Sequence, residues 1–565
     1  MKNSSRCSNL HWMFILPVTI LTACGGGSGA STASTASSTL PSSGSSSINS
    51  GSVPSGTNAA SSVSLQKGLW NNLGNLDSAS KMYIPSTVVS NDIIPAIVAP
   101  VQTMDAAGNL TVIWSIPENN NYVLQTARFT RSNSSWSAVQ TLDTPQTQAA
   151  NGLEKNGSLS PVLVADLQGN IMAVWTVMGA TALGSPVAIV SRLFNAASGT
   201  WGALQILSTT MPAVTPQIAV NAQGEFALVW NAYTASAAKN SGTNMGVWTS
   251  VYQPGTGWSS PLEVDNNGTG ESSGMPQVVI DALGNITTAW ITLNAPQTGT
   301  TPAQVLMSRH YQNGQWGSVQ QIDQLIANPG SDAPSMVVDS QGNVTVAWSQ
   351  ASSADYNLNP LNSIINVSWL SSSSSQWTPP ITVVQAYCAP AQGINSGSTP
   401  SCQGAQGAEL AIDAQDRIMM SWLQSSSGAI YPTINNGETL SGQLYASPLQ
   451  VNNHSAVATQ PKLLDSGLAW GGINKHLMSM ASQPTLIWLG TSATLGVTAP
   501  IEMSSYSWSA STWSTVQRVD IVNQNTSFVA QSPQFNGDAQ GDLASTWLDF
   551  QNGGVVLQVA YFLAP

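Results

Sequence analysis

Pro276-Gln277-Val278-Val279-Ile280-Asp281-Ala282-Leu283-Gly284-Asn285-Ile286-Thr287-Thr288-Ala289-Trp290 decides the fold. Val278 and Ile280 alternate with their neighbours, and so do Ile286, Thr288 and Trp290. A period of two predicts two half-buried strands. Between them, Asp281 can bond back to the backbone and Gly284 can take the positive φ that closes a turn. The stretch therefore reads as a β-hairpin, with Pro276 expected at the first strand residue, where a missing N–H is tolerated.

The same phrase recurs along the chain, ending at Trp114, Trp175, Trp230, Trp290, Trp348, Trp422, Trp488 and Trp547. Asp105, Asp166, Asp281, Asp339, Asp413 and Asp538 keep one distance from their Trp, while Asn221 and Ser479 hold the place in the other two copies. After each phrase comes a third strand-like segment. A fourth follows, opened by Trp136, Trp201, Trp258, Trp316, Trp377 or Trp513. Repeats of four antiparallel strands are the blades of a β-propeller. The fold expected is all-β: an eight-bladed propeller over residues 67–565, with seven blades as the alternative because the seventh copy is degraded. The eighth copy ends at its third strand. Trp70 and Asp77 repeat the fourth-strand spacing near the N-terminus, so residues 67–78 are expected to close the ring and remove its open edges.

Residues 1–23 pair a basic start, Lys2 and Arg6, with an apolar run too short to span a bilayer, and read as a signal peptide. Leu21-Thr22-Ala23-Cys24 resembles the lipobox of bacterial lipoproteins. The resemblance implies cleavage before Cys24, lipid on that residue and a stable membrane anchor. Gly25 in the next place points, by the same resemblance, to the outer membrane. Residues 25–64 are almost wholly Gly, Ser, Thr and Ala, so 24–66 is expected to be a lipidated cysteine followed by a disordered tether. The blade repeats resemble those of bacterial lipid-anchored β-propellers of uncharacterised function, which carries over a fold and no catalytic residue. An eight-bladed propeller lipoprotein of outer-membrane assembly machinery gives a precedent, with a different repeat.

Charged residues are 7% of the chain and the net charge is −12. That excludes nucleic acid, whose binding needs clustered Lys and Arg. Of the 20 tryptophans, those in repeat register read as blade packing, and Trp248, Trp369 and Trp508 as third-strand packing. Trp470 fits no repeat position and is the candidate for a binding loop, with a plain loop anchor as its alternative. Cys388 and Cys402 lie in a long insertion between the fifth and sixth copies. In an exported chain they are expected to form a disulfide. It would close a loop of about 15 residues, worth roughly 3 kcal/mol. Either a used loop shape or protection from proteolysis would explain it. Arg128, Arg192 and Arg309 share a third-strand context near an aromatic and read as repeat positions, unlike the converging arginines of sialidases. His310, His454 and His476 show no metal spacing, and Asp265–Glu271 reads as a turn before it reads as a calcium loop. No cofactor, metal or catalytic residue is assigned.

The function expected is a monomeric, non-enzymatic binding or scaffold lipoprotein. It would present its long, variable loop face to a protein or glycan of the cell envelope. The alternative is a polysaccharide-acting hydrolase or lyase with acids at the channel mouth, which would need two converging carboxylates.

Overall fold

The computed structural model describes residues 64–76 and 100–564 apart from internal stretches, the longest being 149–157, 179–185, 234–244, 294–303, 324–332, 352–362, 389–401, 426–441, 469–474, 491–499 and 521–530. Cys24, Asp77 and Trp470 lie outside the described residues.

Eight antiparallel four-stranded sheets stand in a ring. Seven are built from consecutive chain: 101–143, 158–208, 214–263, 272–321, 335–384, 405–468 and 475–518. The eighth joins 531–537, 543–551 and 554–562 to the N-terminal strand Trp70–Asn75. The first strand of each blade contacts the first strand of the next all the way round and back to the start. The ring is thus an eight-bladed β-propeller, closed by the N-terminal strand. Trp70 pairs with Phe562 and Asn75 with Gln558. Among the described residues no helix is long and apolar enough to cross a membrane.

The repeat's tryptophans are its core. Trp114, Trp175, Trp230, Trp290, Trp348 and Trp488 are among the largest fully buried side chains. The fourth-strand tryptophans stitch a blade to the one before it. Trp258 Nε1 donates to Ser191 Oγ at 3.1 Å, and Trp377 Nε1 to Ser308 Oγ at 2.7 Å. In most blades the fourth strand is broken into two short pieces, as in Ser135–Trp136 and Gln140–Asp143. Short edges discourage strand addition from outside.

The turn chemistry goes further than turn-forming. Asp281 Oδ1 accepts from Leu283 N and Asn285 N, both at 2.8 Å, and Oδ2 accepts from Asn285 Nδ2 at 2.8 Å. The Asn then reaches the other hairpin of its blade. Asn109, Asn170 and Asn343 each accept, through Oδ1, a backbone N–H at the end of the third strand: Arg131, Ala196 and Ser372. The Gly serves the preceding blade. A methyl at Gly169 would lie 3.1 Å from Asp105 Oδ2, at Gly224 3.2 Å from Asp166 Oδ2, and at Gly342 2.7 Å from Asp281 Oδ2. In these three pairs the turn carboxylate packs on the bare glycine of the following blade. Gly342 has φ 81° as well. Gly342→Ala is expected to cost about 2 kcal/mol. Gly314→Ala, with φ 80° but open space around it, should cost about half as much. Chemical denaturation of the two variants checks the difference.

The prolines sit elsewhere than expected. In blades two, three, four and eight the first strand runs through Pro161, Pro216, Pro276 and Pro533. The pairing slips there. Thr215 and Pro216 together face the place opposite Trp230, and Met275 and Pro276 the place opposite Trp290. Gly407 and Ala408 do the same in blade six. A bulge accepts a proline because its residue is left out of the ladder. Thr215, Met275 and Gly407 take positive φ values of 52°, 55° and 64°.

The expected Cys388–Cys402 disulfide is not among the bonds of the described residues. Two short antiparallel strands, Tyr387–Cys388 and Cys402–Gln403, hold the neck of the insertion instead. Cys388 stands opposite Cys402 in that ladder, so backbone pairing closes the loop.

Candidate functional site

Strand direction divides the propeller into two faces. The Asp-Gly turns and the third-to-fourth turns lie on one, the turn face. The strand ends that border the second-to-third and blade-to-blade connections lie on the other, the loop face. Trp470 belongs to the connection from blade six to blade seven, at 469–474, outside the described residues.

Acid–base chemistry would need free acids, and among the described residues the scaffold uses those of the repeat. Asp105, Asp166, Asp281, Asp339, Asp413 and Asp538 each accept backbone N–H groups in their own turns. Asp143 accepts the indole N–H of Trp175 in the next blade at 2.9 Å, and Asp465 that of Trp488 at 3.1 Å. Asp416 accepts from Ser340 N and Oγ of blade five. Glu225 accepts from Asn221 Nδ2 at 2.7 Å.

The arginines are spread as well. Arg309 donates to the backbone oxygens of Gly317 and Val264, the latter in the preceding blade. Asp143 of blade one attracts Arg192 of blade two. Arg128 departs from this pattern. It pairs with Thr111, whereas Arg192 pairs with Ala173 and Arg309 with Thr288. Counted from the motif Trp, that is one position further, so Arg128 points to the opposite face of its blade. There it bonds Asp105 and Thr111 Oγ1 and lies 5.0 Å from the ring of Phe194. The three arginines are therefore not one class of repeat position, and they do not converge.

Two sites near the loop face were not read from the sequence. On the inner wall, Lys475 opens the first strand of blade seven with a side chain only 4% exposed. Its Nζ lies 2.9 Å from Glu409 Oε2 of blade six and 3.2 Å from Ser421 Oγ. Glu409 also accepts the Leu477 N–H at 3.2 Å. The second site lies mid-blade, where Glu502 pairs across the ladder with Trp488. Every other blade has a residue other than an acid opposite its motif Trp: Gln125, Val190, Trp248, Met307, Asn366, Tyr445 and Gln558. Burial pushes the Glu502 carboxyl up, and the nearby Asp465 pushes it further. Arg518, bridged to Asp520 at 2.7 Å, opposes the rise.

Asp265, the start of the faint calcium-like segment, turns inward. Its Oδ2 accepts the Val247 N–H at 2.9 Å. Burial pushes its carboxyl up to about 7, against the pull of hydrogen bonds from Ser273 and Val247. The native state therefore holds this proton more tightly than the unfolded chain, whose value is near 3.8. The stability contributed is complete below that value and is lost as pH rises through about 7. Asp265→Asn keeps an acceptor for Val247 and removes the titration. Thermal denaturation across pH 4 to 8 should fall more shallowly in the variant than in the parent. Among the described residues no group of three or more His, Cys, Asp or Glu could hold a metal ion.

No protein-family model and no curated protein matches the chain. Solved structures similar to it include the polysaccharide lyase Uly1, at 9% identity and TM-score 0.41, covering 86% of this chain and 95% of that one. A Penicillium chrysogenum α-L-arabinanase complexed with arabinobiose matches at 11% identity and TM-score 0.35, over 61% and 92% of the two chains. A protein of unknown function from Dyadobacter fermentans matches at 11% identity and TM-score 0.34, over 59% and 92%. Scores and identities this low bear on neither substrate nor reaction.

Proposed function

We propose that this chain is a non-enzymatic binding lipoprotein of the cell envelope. Lipid on Cys24 and the tether that follows hold the propeller at the outer membrane. The loop face meets a protein or glycan partner. One observation supports the reading: among the described residues, the acids of the repeat are bonded into turns and blade seams. A rigid ring that spends its carboxylates on its own joints, and varies its connections on one face, is built to position loops. The test compares the intact lipoprotein with a variant lacking 389–401, each used to retain partners from native envelope. Partner retained by the first and lost by the second supports the reading. Equal retention by both removes that insertion from the contact, and no retention of protein or glycan by either removes the reading.

Asp465 and Glu502 favour a second reading, an enzyme acting on polysaccharide. They are two carboxylates on either side of the seam between blades six and seven, one of them pushed up toward protonation at higher pH. General acid–base cleavage needs such a pair. Glu502→Gln would abolish any such activity and leave a binding function intact.

A further inference from the structure

Blades two and three leave a cavity of about 230 Å³ between them. It lies at the turn-face end of their seam, where the third strand of blade two ends and its fourth begins. Tyr252 of blade three and Met172 and Leu193 of blade two wall it, and the exposed Asn195, Thr200 and Gln205 rim it. The Tyr252 ring is fixed by T-shaped contacts with Phe226 and Trp258, at 5.8 and 5.6 Å.

The room comes from two small residues where other blades have larger ones. In blades one, three, five and seven a hydroxyl just after the fourth-strand Trp accepts a third-strand N–H: Ser137 from Arg128, Ser259 from Val251, Thr378 from Trp369 and Ser514 from Ser505. Blade two has Gly202 there, its N–H on the Leu193 carbonyl just as the Thr459 N–H of blade six is on that of Pro448. The residue after Thr459 is Gln460, whose Oε1 accepts the Tyr506 hydroxyl of blade seven at 3.3 Å and fills that seam. The residue after Gly202 is Ala203. Tyr252 holds the place of Tyr506, each opposite its fourth-strand Trp, yet its hydroxyl makes no hydrogen bond among the described residues. Blade four also has a glycine, Gly317, but there Gln312 and Gln320 donate across the seam to the Ser372 and Ser375 carbonyls of blade five. Gln205 repeats the place of Gln320, four residues after its Trp, and its amide makes no hydrogen bond among the described residues.

We propose that this cavity between Tyr252 and Gln205 is a binding site for one uncharged sugar ring. The lining carries no Asp, Glu, Lys, Arg or His, so a charged ligand would lose its hydration there without a counter-charge. A purely apolar ring would leave the Tyr252 hydroxyl and the Gln205 amide facing it unpaired. A neutral pyranose meets both demands. Its C–H face packs on Tyr252, Met172 and Leu193, and its hydroxyls reach Tyr252, Gln205 and Thr200. The volume is below the roughly 300–1,000 Å³ of pockets for drug-sized ligands, which limits the occupant to a single ring, free or at the end of a glycan. The site needs neither the lipid anchor nor the loop face.

The test is ligand-observed saturation-transfer NMR on the full chain in a sugar-free detergent. The probes are the methyl pyranosides of glucose, galactose, mannose and N-acetylglucosamine, with p-cresol and methyl glucuronide as apolar and charged comparators. At least one neutral glycoside is expected to bind, with a Kd on the order of a few millimolar, and more tightly than either comparator. Ala203→Gln restores the residue that fills the seam of blades six and seven. It should weaken binding at least tenfold without lowering the unfolding midpoint. Tyr252→Phe keeps the ring in place and should weaken binding at least threefold, which decides the matter if Ala203→Gln does not fold. The variant lacking 389–401 should bind the glycoside as the parent does, so loss of a loop-face partner leaves this site standing. Binding of no neutral glycoside, or equal binding by the parent and the folded Ala203→Gln and Tyr252→Phe variants, overturns the site. A comparator that binds as tightly as the best neutral glycoside overturns the assignment to sugar.

Discussion

Asp542→Ala is expected to lower the unfolding free energy by about 3–5 kcal/mol, while Asp542→Asn should cost about 1 kcal/mol. The difference comes from what Asp542 does at the ring closure. Its side chain is fully buried. It bridges Arg131 of blade one, and its Oδ2 accepts the Tyr561 hydroxyl at 2.9 Å. Its Oδ1 accepts the Ala564 N–H at 2.8 Å. Tyr561 also lies 2.9 Å from the Gly108 carbonyl, so the cluster welds the last blade to the first. Truncation to Ala strands all these donors in the interior. Asparagine is the repeat's own residue here, at Asn109, Asn170, Asn285 and Asn343. It would also remove a penalty: the Asp538 carboxyl is pushed up by burial and then by Asp542. Urea titrations followed by tryptophan fluorescence separate the two variants.

Glu409→Ala should be as damaging, at about 3 kcal/mol or more, because it leaves the buried Lys475 ammonium unpaired. It also removes the acceptor for the Leu477 N–H. The second substitution Lys475→Met should recover most of the loss, since an apolar side chain of similar length needs no counter-charge. If the double variant is no more stable than Glu409→Ala, the pair does not hold blades six and seven together.

The architecture was legible because its signals are local and repeated. The motif's alternation and its Asp-Gly turn recur at fixed distances, and the fourth-strand spacing from Trp70 to Asp77 points to the closure. The structure adds why Gly and Asn are in the motif. Gly342 makes room for Asp281 of another blade, and Asn343 ties two hairpins, facts that no single copy of the phrase contains. The bulges were missed because two residues facing one is a property of a strand pair. The stretch around Pro216 reads the same with or without a partner. Arg128 was misplaced although its signal was available. It immediately precedes Phe129, whereas Arg192 and Arg309 precede their aromatics by two. Adjacent strand residues face opposite ways. The Lys475–Glu409 ion pair and the influence of Asp465 on Glu502 act between blades and leave no trace in spacing.

The central claim is that the loop face binds and performs no chemistry. It is tested most directly by incubating the purified lipoprotein and its Glu502→Gln variant with envelope polysaccharide and protein fractions. Retention and the release of new reducing or unsaturated sugar ends would be recorded together. The account predicts retention by both proteins and release by neither. Sugar ends released by the parent and abolished in Glu502→Gln would contradict it and establish the seam between blades six and seven as an active site.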